Sequence, residues 1–130
     1  MTLRTILVGL VALAAVAALA AAPVSAGFTL KAFSCDFGPS PDWLATIVNV
    51  RHLVSFGVLA TLAFIVFRDQ PVWVPILFMV AVTVGVEIEQ GTFASGHCRA
   101  RDLIPNALAI VIGWALAKVT PRRWLGSSNT

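Results

Sequence analysis

Four long apolar stretches constrain this chain more than any other feature of its sequence. They cover about residues 5–26, 44–67, 72–89 and 103–119. An α-helix rises about 1.5 Å per residue, so about 20 apolar residues are enough to cross the hydrocarbon core of a bilayer. The stretches do not alternate with polar residues, which argues against a transmembrane β-barrel. The sequence therefore predicts an all-α membrane protein with four transmembrane helices, in a single domain covering residues 1–130.

The charge content supports this fold class. Charged residues make up 12% of the chain and hydrophobic residues 58%, whereas a soluble domain carries about 25% charged residues. The expected partner of the protein is therefore the lipid bilayer. The net charge of +3 comes from bases at helix ends, which commonly anchor helices to headgroups. No dense basic stretch is interleaved with aromatic residues, so we expect no nucleic-acid binding.

The first stretch has two interpretations. Arg4, the apolar run and Pro23-Val24-Ser25-Ala26 resemble a signal peptide that ends at a small-residue cleavage site. The apolar run 5–22 is, however, longer than the roughly 7–15 residues of a signal-peptide core. That length favours a retained transmembrane helix, and both interpretations stay open.

Four crossings place both termini on one side of the membrane, together with the turn at Arg68. The bases divide nearly evenly between the two sides, so they discriminate orientation only weakly. The Arg122-Arg123 pair beside Trp124 is typical of a cytoplasmic interfacial anchor. We therefore expect both termini in the cytoplasm.

On this topology, the two cysteines of the chain lie on the same side, opposite the termini. Cys35 falls in the first long loop and Cys98 in the second. If that side is oxidising, a disulfide between them would tie the two loops together. Two unrelated free thiols are the alternative.

Polar residues are concentrated between the third and fourth stretches. Glu87 and Gln90 are three residues apart and share a helix face, whereas Glu89 points elsewhere. On the last helix a single narrow stripe holds, in order, Asp102, Asn106, Ala109 and Gly113. Small residues spaced four apart let a neighbouring helix approach closely. We therefore expect the last two helices to bring the polar residues of both face to face.

Each polar residue also has a structural interpretation. Asp102 precedes an apolar helix and is expected to accept hydrogen bonds from the N–H groups of its first turn. Asn106 is expected to form an interhelical hydrogen bond with Gln90 or Glu87. Glu87 is either a buried functional carboxylate or a group that reaches water at headgroup depth.

Arg51 and His52 begin the second helix on the same side as this polar segment. A base there could neutralise Glu87 or bind a lipid phosphate. The alternative is an interfacial arginine whose stem lies along the apolar surface, next to a solvated histidine.

These residues resemble the VanZ-like family of small membrane proteins. The family pattern has Glu-x-x-Gln at a helix end, matched by Glu87 and Gln90. It continues with an Asp and an Asn four residues later, matched by Asp102 and Asn106, and with a helical Gly-x-x-x-Gly. In that last motif Gly113 matches and Ala109 replaces the earlier glycine. The similarity covers about residues 51–113 and includes His52.

The sequence departs from this pattern at two places. His97 stands where the family has a loop arginine, and Val48-Asn49 stands where it has Asp-Lys.

The founding member of the family is associated with resistance to the glycopeptide teicoplanin. The resemblance therefore implies a cell-envelope protein of the bacterial inner membrane that acts near a lipid or glycan component.

The sequence supports three classes of function. The first is a VanZ-like envelope protein that binds a lipid or glycan component at the outer leaflet. Its candidate binding residues are Arg51, His52, Glu87, Gln90, Asp102 and Asn106. The second is a non-catalytic accessory or structural subunit of a larger membrane protein complex. The third and least favoured is a membrane enzyme acting on an amphipathic substrate, for which no catalytic residues are identified.

Metal or cofactor chemistry has little support in the sequence. Ligand atoms occur on His52, Glu87, His97, Cys98 and Asp102, but their spacing matches no common metal motif. We therefore expect no metal and no cofactor.

Overall fold

The computed structural model describes residues 2–39 and 42–122 and confirms the predicted fold class. Four of its helical segments are long and apolar enough to cross a membrane: Leu3–Ser25, Leu44–Val66, Trp73–Thr92 and Ala100–Val119. The protein is thus a multi-pass membrane protein. Arg123 and Trp124, the expected interfacial anchor, lie outside the described residues.

The described residues form five helices and one pair of two-residue strands. Helix α5 follows directly on a 3-10 turn, Ala100–Asp102. In chain order the elements are α1 (Leu3–Ser25), β1 (Cys35–Asp36), α2 (Trp43–Ile47), α3 (Val50–Val66), α4 (Trp73–Thr92), β2 (Cys98–Arg99) and α5 (Leu103–Val119).

Two of the predicted helices differ in detail from the structure. The second apolar stretch is not one continuous helix, because α2 ends at Ile47 and α3 begins at Val50. Val48 has non-helical backbone angles, φ −94° and ψ 39°, and both Val and Asn are weaker helix formers than Ala or Leu. Helix α4 continues to Thr92, three residues beyond the predicted end, so Gln90 is fully helical.

The small-residue stripe of α5 packs against α3, contrary to the expectation that it would pack against α4. Contacts between α3 and α5 are the most extensive in the molecule. A Cβ atom built on Gly113 would lie 2.5 Å from the Cβ of Ala60 and 2.8 Å from the backbone N of Thr61. Ala109, one turn earlier, is fully buried. Only a glycine lets the two backbones come this close.

Two polar contacts define one face of the bundle, which we term the terminal face. Arg4 near the start of α1 pairs with Asp69 of the α3–α4 turn at 3.5 Å. Arg68 of the same turn donates hydrogen bonds to the carbonyls of Ala117 and Thr120 at the end of α5. The start of α1 and the end of α5 therefore lie on one side, as the four-crossing topology predicts.

The opposite side of the bundle, which we term the loop face, carries the two long connections. The hydroxyls of Ser25, at the end of α1, and Ser95, in the α4–α5 loop, are 2.8 Å apart. Helix α1 packs against α4 and α3 through a narrow strip in which Val11 and Ala15 are buried. Retention of residues 1–26 in the mature protein stays a prediction.

Candidate functional site

A small, covalently closed layer of loops covers the loop face. Strand β1 pairs in parallel with β2, with Cys35 opposite Cys98, and a disulfide joins these two residues. The backbone N–H of Lys31 donates to the carbonyl of Thr92 at 2.9 Å, and its ammonium donates to the carbonyl of Gly96 at 2.6 Å. The first long loop is thereby fastened to both the end of α4 and the second loop.

Beneath this layer, Glu87 is buried with half of its carboxylate unpaired. The residue is 4% exposed. Its Oε2 accepts a hydrogen bond from the backbone N–H of Arg99 at 3.2 Å, and its buried Oε1 has no partner among the described residues. Asp102 and His52 both lie close enough to act on it electrostatically. Glu87 is therefore held by a strand N–H and does not reach water freely.

Asn106 is a second buried polar residue, bonded across helices to His52. It is 1% exposed, and its Oδ1 lies 2.8 Å from His52 Nδ1. An amide oxygen only accepts hydrogen bonds, so in this geometry the Nδ1 of His52 carries the proton and donates the hydrogen bond to Asn106. The Nδ2 of Asn106 is buried without a partner among the described residues. The expected bond from Asn106 to Gln90 or Glu87 was wrong, although an interhelical bond is present.

Asp102 does not cap α5 with its side chain, contrary to the expectation. Its backbone is already helical, with φ −72° and ψ −12°, and its carboxylate makes no capping hydrogen bond. A capping residue normally has an extended backbone, which directs its side chain back to the first turn. Asp102 instead lies close enough to Glu87 for the two carboxyl groups to interact electrostatically.

Arg51 and Gln90 lie at the margin of this group. Arg51 is exposed in the first turn of α3, and Gln90 is partly buried near the end of α4. The ion pairs among the described residues are Arg4–Asp69 and Arg101–Asp36, so Arg51 does not neutralise Glu87 as one interpretation required.

The structure thus brings four of the six predicted residues together at the loop end of α3, α4 and α5. We term them the polar cluster: His52, Glu87, Asp102 and Asn106. Within the cluster, Glu87 Oε1 is free to accept a hydrogen bond and Asn106 Nδ2 is free to donate one. Among the described residues, no group of three His, Cys, Asp or Glu side chains is arranged to hold a metal ion.

Sequence reasoning missed two contributors to this site. The N–H of Arg99 is a backbone donor. No pattern of residues predicts which backbone N–H of a loop will form a hydrogen bond with a buried carboxylate. Lys31 ties the first long loop to Gly96, a contact that a single lysine in a loop sequence does not predict. Both positions depend on how the loops fold over the helix ends.

Comparison with known proteins gives one positive finding. A family model described as VanZ/LLP1 matches residues 4–121. No curated protein and no solved structure matches the chain.

Proposed function

Since the chain belongs to the VanZ/LLP1 family, we propose that it is a cell-envelope membrane protein that binds the headgroup of a lipid at its loop face. The polar cluster is the binding site in this proposal, with Arg51 and Gln90 at its margin. The loop face is the outer face and the termini are cytoplasmic, in a bacterial inner membrane. The disulfide in the loop layer supports this orientation, because disulfides persist in oxidising compartments.

The observation that carries the proposal is the pair of unpaired buried polar atoms, Glu87 Oε1 and Asn106 Nδ2. Buried polar groups in proteins are almost always hydrogen-bonded, and leaving one unpaired costs about 1–3 kcal/mol. A polar side chain within a membrane span is costly and is commonly functional. A ligand that accepts from Asn106 and donates to Glu87 removes both costs.

The chemistry of the cluster favours a hydroxyl-bearing headgroup. A hydroxyl both donates and accepts, so a sugar or polyol satisfies the carboxylate and the amide together. A fully ionised phosphate has no proton to donate, so it cannot satisfy the unpaired carboxylate oxygen of Glu87. We therefore expect a glycan or polyol headgroup at the loop face.

The test is gentle extraction of the full chain from its native membrane, followed by native mass analysis with identification of bound lipids. We expect one recurrent lipid with a sugar or polyol headgroup. Loss of a hydrogen bond to a charged group costs about 1.5–3 kcal/mol, so Glu87→Gln should reduce the bound fraction about tenfold or more.

Glu89→Gln is the matched control, because it makes the same change on the same helix, about 200° around the helix axis and outside the polar cluster. The Oε2 of Glu89 is likewise buried without a partner among the described residues, so the comparison separates membership of the cluster from burial alone. This variant should retain the lipid. Equal lipid loss in both variants, or no recurrent lipid in the unmodified protein, would overturn the proposal. A stoichiometric protein partner in place of the lipid would favour the accessory-subunit interpretation.

A further inference from the structure

A cavity lies at the terminal face, away from the polar cluster. It has a volume of about 310 Å³, which is within the range of small-molecule sites, about 300–1,000 Å³. Its walls come from the ends of α3 and α5 and from the start of α4. Three basic residues line it: Arg68, Lys118 and Arg122.

Within the part of the chain that the structure describes, no acidic group compensates the positive charge of this cavity. None of the described residues that line it is acidic. The neighbouring carboxylate, Asp69, does not line the cavity and pairs with Arg4. Arg68 offsets the partial negative charge at the end of α5 by donating to two carbonyls there, which leaves the charges of Lys118 and Arg122 in excess.

Arg68 is held in place with donor capacity to spare. Its Nη2 is engaged with the carbonyls of Ala117 and Thr120. Its Nη1 is buried and has no partner among the described residues. A guanidinium fixed along one edge in this way is a pre-organised donor for a phosphate oxygen.

The remaining walls of the cavity suit a lipid better than a free ion. They are mostly apolar and include Phe64, Phe67, Val72 and Trp114. The ammonium of Lys118 lies over the Trp114 ring, 5.5 Å from its centre, and this cation–π contact holds a positive charge against the apolar wall. The cavity also lies at the ends of three segments that can span a membrane, and the ends of spanning helices meet the headgroup region of a bilayer.

We propose that this cavity binds the phosphate group of an anionic phospholipid from the leaflet at the terminal face. Arg68 and the two exposed cations contact the phosphate, and the apolar wall beside Trp114 accommodates the first part of the acyl chains. The site is independent of the polar cluster, which lies at the other end of the helices.

The test uses the full-length protein in nanodiscs of equimolar phosphatidylcholine and phosphatidylglycerol. Native mass analysis after removal of the bulk bilayer measures the lipids retained. Each cation near a membrane surface strengthens anionic-lipid binding by about fivefold. Lys118→Gln and Arg122→Gln should therefore each lower phosphatidylglycerol retention about fivefold, and the double variant about 25-fold.

Arg4→Gln is the matched control, because it removes one positive charge from the same face but outside the cavity. This variant measures the general effect of one surface cation, including the release of Asp69 from its ion pair, and it should lower phosphatidylglycerol retention less than either cavity variant does. Equal retention of the two lipids, or the same loss in Arg4→Gln as in the cavity variants, would overturn the proposal. Displacement of phosphatidylglycerol by millimolar inorganic phosphate would assign the site to the free ion and so overturn the lipid assignment.

Discussion

Gly113→Ala tests the close approach of α3 and α5, on which the geometry of the polar cluster depends. The added Cβ would lie 2.5 Å from the Cβ of Ala60, whereas two carbon atoms prefer a separation of about 3.5–4.0 Å. The helices must therefore move apart by about 1 Å or more, since the backbone of Thr61 is also in the way.

The size of the effect follows from a comparison with Gly57→Ala. A Cβ on Gly57 of α3 meets no atom within 4 Å, so this variant gains helix propensity, about 1 kcal/mol, without a clash. Gly113→Ala gains the same propensity and adds an overpacking cost of about 1–3 kcal/mol. The difference between the two variants therefore isolates the clash.

The assay is thermal unfolding of both variants in the same detergent. For a chain of this length, 1 kcal/mol corresponds to about 3–5 °C. We expect Gly113→Ala to melt about 3–15 °C below Gly57→Ala. A shift of about 1 Å would also stretch the 2.8 Å bond between His52 and Asn106 beyond hydrogen-bonding range. If Gly113→Ala melts at or above Gly57→Ala, the close packing of these helices is refuted.

Two further predictions concern the cross-links of the loop face. Replacing Cys35 and Cys98 together by Ser should lower the free energy of unfolding by about 2–4 kcal/mol, since the disulfide spans 63 residues. A reductant should cause the same loss of stability in the unmodified protein and should have no effect on the double variant. In a double-mutant cycle with His52→Leu and Asn106→Leu, we expect a coupling energy of about 0.6–1.7 kcal/mol, typical of interhelical hydrogen bonds in membranes. Strict additivity of the two changes would contradict the observed bond.

The positions of the helices were largely predictable from the sequence. The last helix begins and ends at the predicted residues, Leu103 and Val119, because a long apolar run bounded by polar residues is a local property. The break at Val48 was not predicted, since the apolar stretch continues through it. Hydropathy identifies a segment that fits the bilayer but does not locate an interruption within it.

The candidate site was predictable only in part. The sequence identified the polar residues and the face on which each pair lies, and four of them meet in the structure. It paired Asn106 with α4, whereas the structure pairs it with His52 of α3. The spacing of small residues predicts that some helix will approach closely, and it does not say which one.

By itself, then, the sequence determined the four spans, the placement of the two cysteines on the same side of the bundle, and the polar residues that lipid cannot solvate. Tertiary structure alone decided that α5 packs on α3, that the N–H of Arg99 holds Glu87, and that Arg68 lines a cavity at the other face. The physical reason is that a transmembrane helix is apolar around most of its circumference. Burial in lipid and burial in protein therefore look alike in the sequence, and only close packing selects the partner and the rotation of each helix.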